Sequence, residues 1–419
     1  MLDASFASPT LSLRLDSTHC PPSGGRVHLV CEVTTPLSTS ELARRPLDLV
    51  LVLDASGSMA GEKIEAVKRA SVALIARLSP FDRVSLVTFA EDVRVHGHCA
   101  APHSAPCAQL LIELMQLRTR GNTNLAGGWL TGVELAQGAV ESGRRPVVLL
   151  LSDGQANAGE IDPSKLARFA AQASAQGITT TCIGVGADYS LSQLGAISEA
   201  GGSRFHHADT ADAIEAVILG ELGELETTCL DFADLALSVP PGFAMQPLSL
   251  HASHADGDMH IFRLGALLCG TTRRVVVALD APAAWDGAEQ HVHVALHGMR
   301  ALDGAPVTLG ESVCLHWTDR KRVARRAEDT LLVVQQWRAW LERTATGANE
   351  LGDMGAVRQL LDSHLPSLRA YAHAHPEAEQ ELAECFRNLE RASTPMSAMQ
   401  CKEEFISARK RGRGERDLR

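Results

Sequence analysis

From Leu47 to Leu53 the chain reads LDLVLVL, an almost unbroken apolar run of strand length. It then turns polar through Asp54, Ser56 and Ser58. A run without alternation predicts a strand buried on both faces, as in a parallel sheet. The same texture returns in RVSLVTFA (83–90), PVVLLLSDG (146–154) and ITTTCIGVG (178–186), with a shorter strand at SRFHHA. Between these runs the apolar positions shift to helical spacing. After the first strand they fall at Ile64, Val67, Ala70, Leu74 and Leu78. CAQLLIELMQL, NLAGGWLTGVELAQGAV, LSQLGAISEAGG and ADAIEAVILGEL follow suit. PSKLARFAAQASAQG opens near Pro163 and stops on Gly177, the usual asymmetry of helix ends. Strand and helix alternate up to about Leu222. That predicts an α/β domain over residues 46–223, a doubly wound, mostly parallel sheet with helices on both faces.

The flanks have other textures. TLSLRLD alternates with period two, and RVHLVCEVT follows after the turn cluster PPSGG. Beyond residue 225 come CLDFADLALSVPPG, GDMHIFRLGAL, TRRVVVALDAP, QHVHVALHG and ESVCLHWTD, short strands split by Gly, Pro and Asp. This is the pattern of a β-sandwich, assigned to residues 224–318. Five strands make a thin sandwich, so the strands of residues 1–45 are expected to complete it. The α/β domain would then be an insertion within a β domain. Residues 319–408 read as helices, the first with Val323, Ala327, Leu331, Val334 and Leu341 along one side. Residues 409–419 read as a solvated basic tail. No internal repeat stands out.

A length of 419 residues allows two or three domains with real cores. A net charge of −11 argues against nucleic acid as a partner, and 4% aromatics against stacking platforms for single strands. No apolar run approaches the ~20 residues of a membrane span. The opening MLDASFASPTLSLRLDSTHC has no basic stretch before an apolar core, so no secretory signal is expected. The 10 cysteines are scattered with no CxxC pair, which fits a reduced, cytoplasmic protein. Nothing in the sequence sets an oligomeric state.

The polar residues at the strand ends carry the chemistry. Asp54, Ser56 and Ser58 alternate across Gly57 just before a helix. Ser and Asp there also cap helices routinely, so this stretch alone leaves a cap and a cation site equally open. Two more stretches change the balance. Thr123 lies in the Gly/Asn-rich loop RTRGNTNLAGG, and Ser152–Asp153 end another buried strand. In a parallel sheet these loops leave by the same edge, so Asp54, Ser56, Ser58, Thr123 and Asp153 can converge on one point. All five offer oxygen, the donor that hard cations take. Mg²⁺ is the expected ion, with Mn²⁺ or Ca²⁺ as alternatives. Hydroxyls bind such an ion without neutralising it, which leaves a position for an incoming carboxylate.

DASGSM, the GNTNL loop and SDG resemble the metal-ion-dependent adhesion site of von Willebrand factor type A domains, over about residues 46–223. The resemblance implies Ser56, Ser58 and Thr123 as ligands, with Asp54 and Asp153 acting directly or through water. It also implies a protein partner that presents Asp or Glu. The order of β segment, type A domain, β segment and helices is similar to bacterial type A proteins and to inter-α-trypsin-inhibitor heavy-chain-like architectures. The expected function is a metal-dependent protein–protein interaction, not catalysis, since G-x-S-x-G, GxxxxGK and HExxH are all missing. The alternatives are an accessory subunit of an ATP-driven or multi-protein bacterial system and a metal-dependent hydrolase.

Other polar groups have plainer readings. His96, His98, Cys99, His103 and Cys107 fit no tight zinc spacing and read as a variable surface loop. His206 and His207, with Asp209 nearby, read as surface or capping residues at a strand end. The basic run DRKRVARRAED reads as a solvated helix face.

Overall fold

The computed structural model describes residues 8–37, 44–186, 188–318, 327–373 and 376–413. The chain divides into two compact units. One comprises Thr39–Phe232 and Met299–Pro306, and the other Met1–Ser38, Ala233–Gly298 and Val307–Arg419.

The second of these units begins with β1 (Thr10–Leu15), β2 (His19–Cys20) and β3 (Gly25–Thr34). The chain then enters the α/β unit. Its first half is β4 (Leu47–Asp54), α1 (Glu62–Arg77), β5 (Arg83–Phe89), β6 (Val93–Ala100), α2 (Ala105–Met115) and α3 (Leu125–Glu141). Its second half is β7 (Arg145–Ser152), α4 (Pro163–Ala175), β8 (Thr179–Val185), α5 (Leu191–Ala200), β9 (Phe205–Ala208) and α6 (Ala211–Glu226).

The sheet order is β6-β5-β4-β7-β8-β9. All neighbours run parallel except β6, which pairs antiparallel with β5 through a register shift between Val84 and Val87. The apolar runs form the central strands, and every residue of β4 is buried. One face packs Leu49, Leu51 and Leu53 with Ile64 and Val67 of α1 and Ile214 and Ile218 of α6. The chain passes from β4 to β5 on one side and later to β7 on the other. The crevice of this topological switch point therefore opens at the carboxyl end of β4.

The strand β6 corrects one expectation. Residues 93–100 of the supposed surface loop form an edge strand, whose half-exposed pattern hides it among histidines. Cys107, further on, is buried in α2.

After the α/β unit come β10 (Thr228–Ser238), β11 (Ala244–Pro247), β12 (Ser253–Asp256), β13 (Met259–Leu268), β14 (Thr272–Ala281), β15 (Glu289–Arg300) and β16 (Pro306–Trp317). They make two sheets with the N-terminal strands, β1-β3-β14-β11 and β12-β13-β10-β15-β16-β2. β3 pairs with β14 along its whole length, from Gly25 against Ala281 to Thr34 against Thr272.

Last come α7 (Ala327–Glu350), α8 (Met354–His373), α9 (Glu379–Ala392) and α10 (Ala398–Arg413). Val333, Val334, Trp337 and Leu341 of α7 share one core with Val30 of β3 and Val276 and Ala278 of β14. A buried polar link adds to it: Asp16 accepts from the Tyr371 hydroxyl at 2.9 Å and lies 2.9 Å from His28 Nδ1. Most of α10 lies within the segment read as helices, but its own pattern is faint. Cys401, Phe405 and Ala408 are buried at spacings of four and three, a helical stripe too narrow to show among the charges. The helix runs to Arg413, into the segment expected to be a solvated tail. Residues 414–419 and the basic run at 319–326 lie outside the described residues. Among the described residues no helix is long and apolar enough to cross a membrane.

The helix α3 lies close to the sheet because it carries glycines on its inner face. A methyl group at Gly128 would sit 2.5 Å from the Phe89 ring, and one at Gly132 would sit 2.5 Å from Val52 Cγ2. Alanine gains ~1 kcal/mol of helix propensity, but overpacking against a fixed ring costs ~1–3 kcal/mol. Gly128→Ala should therefore lower the urea midpoint with the slope unchanged. A raised midpoint would show that α3 can move off the sheet freely.

Candidate metal centre

Asp54 ends β4 with no exposed surface. Its two oxygens are both engaged. Oδ1 accepts from the Ser56 backbone N–H at 2.8 Å and Oδ2 from the Ser152 hydroxyl at 2.6 Å. The first bond closes an Asx turn, which bends the chain sharply after the strand. The bend brings the Ser56 and Ser58 hydroxyls within 3.0 Å of each other. Ser58 then donates to Asp153 Oδ1 at 2.7 Å.

Thr123 arrives from the loop between α2 and α3, which backbone bonds tie to the β4–α1 turn. The Arg120 N–H donates to Ala55 O at 2.8 Å and the Gly57 N–H to Gly121 O at 3.3 Å. The Thr123 N–H donates to Asn157 Oδ1 at 2.9 Å, and the Asn157 N–H returns a bond to Thr123 O at 3.1 Å. Asn124 caps α3 by accepting from the Gly127 N–H at 3.0 Å. Capping therefore falls to Asn124. At Asp54 and Ser56 the side chains serve the cluster, and no side-chain bond from Ser56 caps the short 3-10 turn at Gly57–Met59.

Ser58, already joined to Ser56 and Asp153, meets Thr123 at Gly154. A methyl group there would lie 3.4 Å from Ser58 Oγ and 3.5 Å from Thr123 Oγ1, so the missing side chain leaves room between the two hydroxyls. Burial pushes the Asp54 carboxyl above its ordinary range, and the charge of Asp153 adds to this against the bonds from Ser152 and Ser56. A cation between the carboxylates relieves both effects. One is already drawn there: Lys63 Nζ lies 2.5 Å from Asp153 Oδ2. Oxygen donors, a glycine gap and an attracted ammonium suit a hard divalent ion. Lys63 and Asn157 escaped the sequence reading, although Asn157 closes the stretch SDGQAN.

An open, mostly parallel α/β sheet with a cluster of oxygen side chains at its switch point defines a doubly wound α/β domain. Residues 48–218 match the von Willebrand factor type A domain family, and the chain therefore carries a domain of that family. Over 182 residues the chain is 28% identical to inter-alpha-trypsin inhibitor heavy chain H4 of Homo sapiens, covering 42% of this chain and 20% of that protein. Over 129 residues it is 33% identical to heavy chain H3 of Homo sapiens, covering 29% of this chain and 14% of that protein. The chain thus spans a fifth or less of the length of these relatives. Among solved structures, a von Willebrand factor type A protein from Catenulispora acidiphila aligns with TM-score 0.70 at 17% identity, over 97% of this chain and 98% of the other. The ArnB paralog VWA2 from Sulfolobus acidocaldarius aligns with TM-score 0.62 at 14% identity, over 96% and 98%. At such identities the likeness speaks for the fold alone.

The remaining candidates are placed differently. His96 lies 2.7 Å from Thr88 Oγ1 and 3.1 Å from Glu113, while Cys99 faces Asp48 at 3.6 Å. With Cys107 buried in α2, these donors are not gathered for zinc. His207 meets the Tyr189 hydroxyl at 3.0 Å. His206 lies 2.9 Å from Glu221, so it is tied into a buried ion pair and is not a loose surface group. Arg204 donates to the same carboxylate at 2.5 Å, and Thr181 at 2.8 Å. Burial alone would raise the Glu221 carboxyl, but the charge of Arg204 and the bond from His206 outweigh it and hold it down to about 2. A carboxyl depressed on folding stabilises the fold above its unfolded pKa of ~4.3. That contribution is lost as pH falls from there through about 2. Glu221→Gln should flatten the acid limb of the stability–pH curve in this window, read by urea midpoints. An unchanged limb would mean that other carboxylates govern acid unfolding.

Proposed function

We propose that the type A domain is a metal-dependent protein-interaction module that receives an Asp or Glu of a partner protein at the Asp54–Asp153 centre and catalyses no reaction. The observation that carries this reading is the hydrogen-bonded run of Ser56, Ser58 and Asp153, with Thr123 facing Ser58 across the gap at Gly154 and an ammonium drawn to Asp153. Ser56, Ser58 and Thr123 would hold the ion directly, and Asp54 and Asp153 directly or through water. Bound Mg²⁺, with Mn²⁺ or Ca²⁺ as alternatives, supplies an electrophilic position for a carboxylate oxygen. Asp54, Ser56, Thr123 and Asp153 are buried while Gly57 and Ser58 are exposed, so the partner approaches over the Gly57–Ser58 turn. An exposed ion pair is worth only ~0–1 kcal/mol, and a carboxylate on a doubly charged ion in this half-closed crevice gains more. A reducing, cytoplasmic setting is part of this proposal.

The ion comes first in the tests. Mg²⁺ should raise the thermal midpoint of the wild type, as a ligand of the native state does. Asp54→Asn should abolish the shift and keep the fold. Calorimetry without divalent-ion binding at millimolar concentration would refute the centre. For the partner, capture should be lost with chelator and restored by Mg²⁺. Thr123→Ala should weaken it by about tenfold or more, since a lost ligand costs at least what a lost supporting group does, with little change in thermal midpoint. Equal affinity with and without chelator would place the interaction surface elsewhere.

A further inference from the structure

We propose that Glu289, Cys314 and His316, with His19 beside them, form a second, surface metal centre for a borderline ion such as Zn²⁺.

The strand pattern places these residues together. Leu315 and Trp317 of β16 point into the core, so Cys314 and His316 share the outer face. β2 runs parallel to β16 with His19 directly opposite His316, and their ring centroids are 5.6 Å apart. Two imidazoles on one tetrahedral ion place their rings roughly 5 Å apart. From β15, Glu289 reaches His316 Nδ1 at 3.0 Å. One donor atom each from Glu289, Cys314 and His316 lies within 4.8 Å of the others. Ligands on tetrahedral Zn²⁺, with bonds of ~2.0–2.3 Å, stand roughly 3.5 Å apart, so small side-chain rotations close the site.

The plain alternative is an exposed His–Glu pair, which contributes little and leaves the half-exposed thiol without a purpose. On ligation the thiol proton passes to solvent as the sulfur–metal bond forms. The group formed by His206, Glu221 and Glu224 offers similar spacing, but the Arg204 guanidinium already occupies it. Glu289 has its ion pair with His316 and with no guanidinium among the described residues.

Co²⁺ added to the full chain, with Mg²⁺ in excess to fill the oxygen centre, is the test. One Co²⁺ per chain should give a sulfur-to-cobalt charge-transfer band, and Zn²⁺ should bleach it. Cys314→Ser should remove the band and Asp54→Asn should leave it. His316→Gln should weaken binding beyond the ~10–100-fold that loss of a supporting group costs. Thermal midpoints without metal check that each variant folds. Absence of the band, or a band that survives Cys314→Ser, overturns the proposal. In the second case Cys99→Ser would show whether the thiolate comes from the edge strand β6.

Discussion

A carboxylate closed off from water must find hydrogen bonds within the protein or lose its charge, and Asp54 meets that demand at the end of β4. Its partners are the Ser56 N–H and the Ser152 hydroxyl. The first forces the turn that carries Ser56 and Ser58 forward. The second joins β4 to β7 at the strand end where Asp153 follows. The positions of the other oxygens thus descend from how this one charge is satisfied. The loop with Thr123 is then fixed from both sides, by Ala55 and Gly57 of the turn and by Asn157 on the other.

The central strands were legible because a strand buried on both faces has no polar positions to blur it, as in β4 and β7. Exposed elements lacked that signal. All four residues of β12 are exposed, and β6 alternates too weakly to stand out from a loop. Asp54, Ser56, Ser58 and Asp153 were legible because they end or follow buried strands, and Thr123 because its Gly/Asn-rich loop stands just before a helix. Lys63 and Asn157 were not. Lys63 passes over Gly186, whose added methyl would lie 3.2 Å from Nζ, and Asn157 folds back on Thr123. Such approaches leave no local spacing. The outer face of β16 is similar, for Glu289 and Cys314 lie far apart in sequence and only strand pairing unites them.

The two centres differ in donor chemistry. The crevice of the α/β unit offers oxygen alone, which suits ions that hold water tightly. The face of the β unit offers sulfur, nitrogen and one carboxylate, which suits borderline transition metals. Selection by donor type would let one chain hold both proposed ions without exchanging them.

The pairing of β3 with β14 sets an order of events during synthesis. Thr34 and Thr272, which meet in that ladder, are 238 residues apart. At ~5–20 residues per second, roughly 10–50 s pass between their emergence from the ribosome. A hairpin of β1 and β3 is marginal in water by itself. Val27, Leu29 and Val33 must therefore wait, uncovered, while the whole α/β unit is made. A nascent chain of this design is most vulnerable to aggregation in that interval, and a chaperone that shields its first strands would act before the α/β domain is complete.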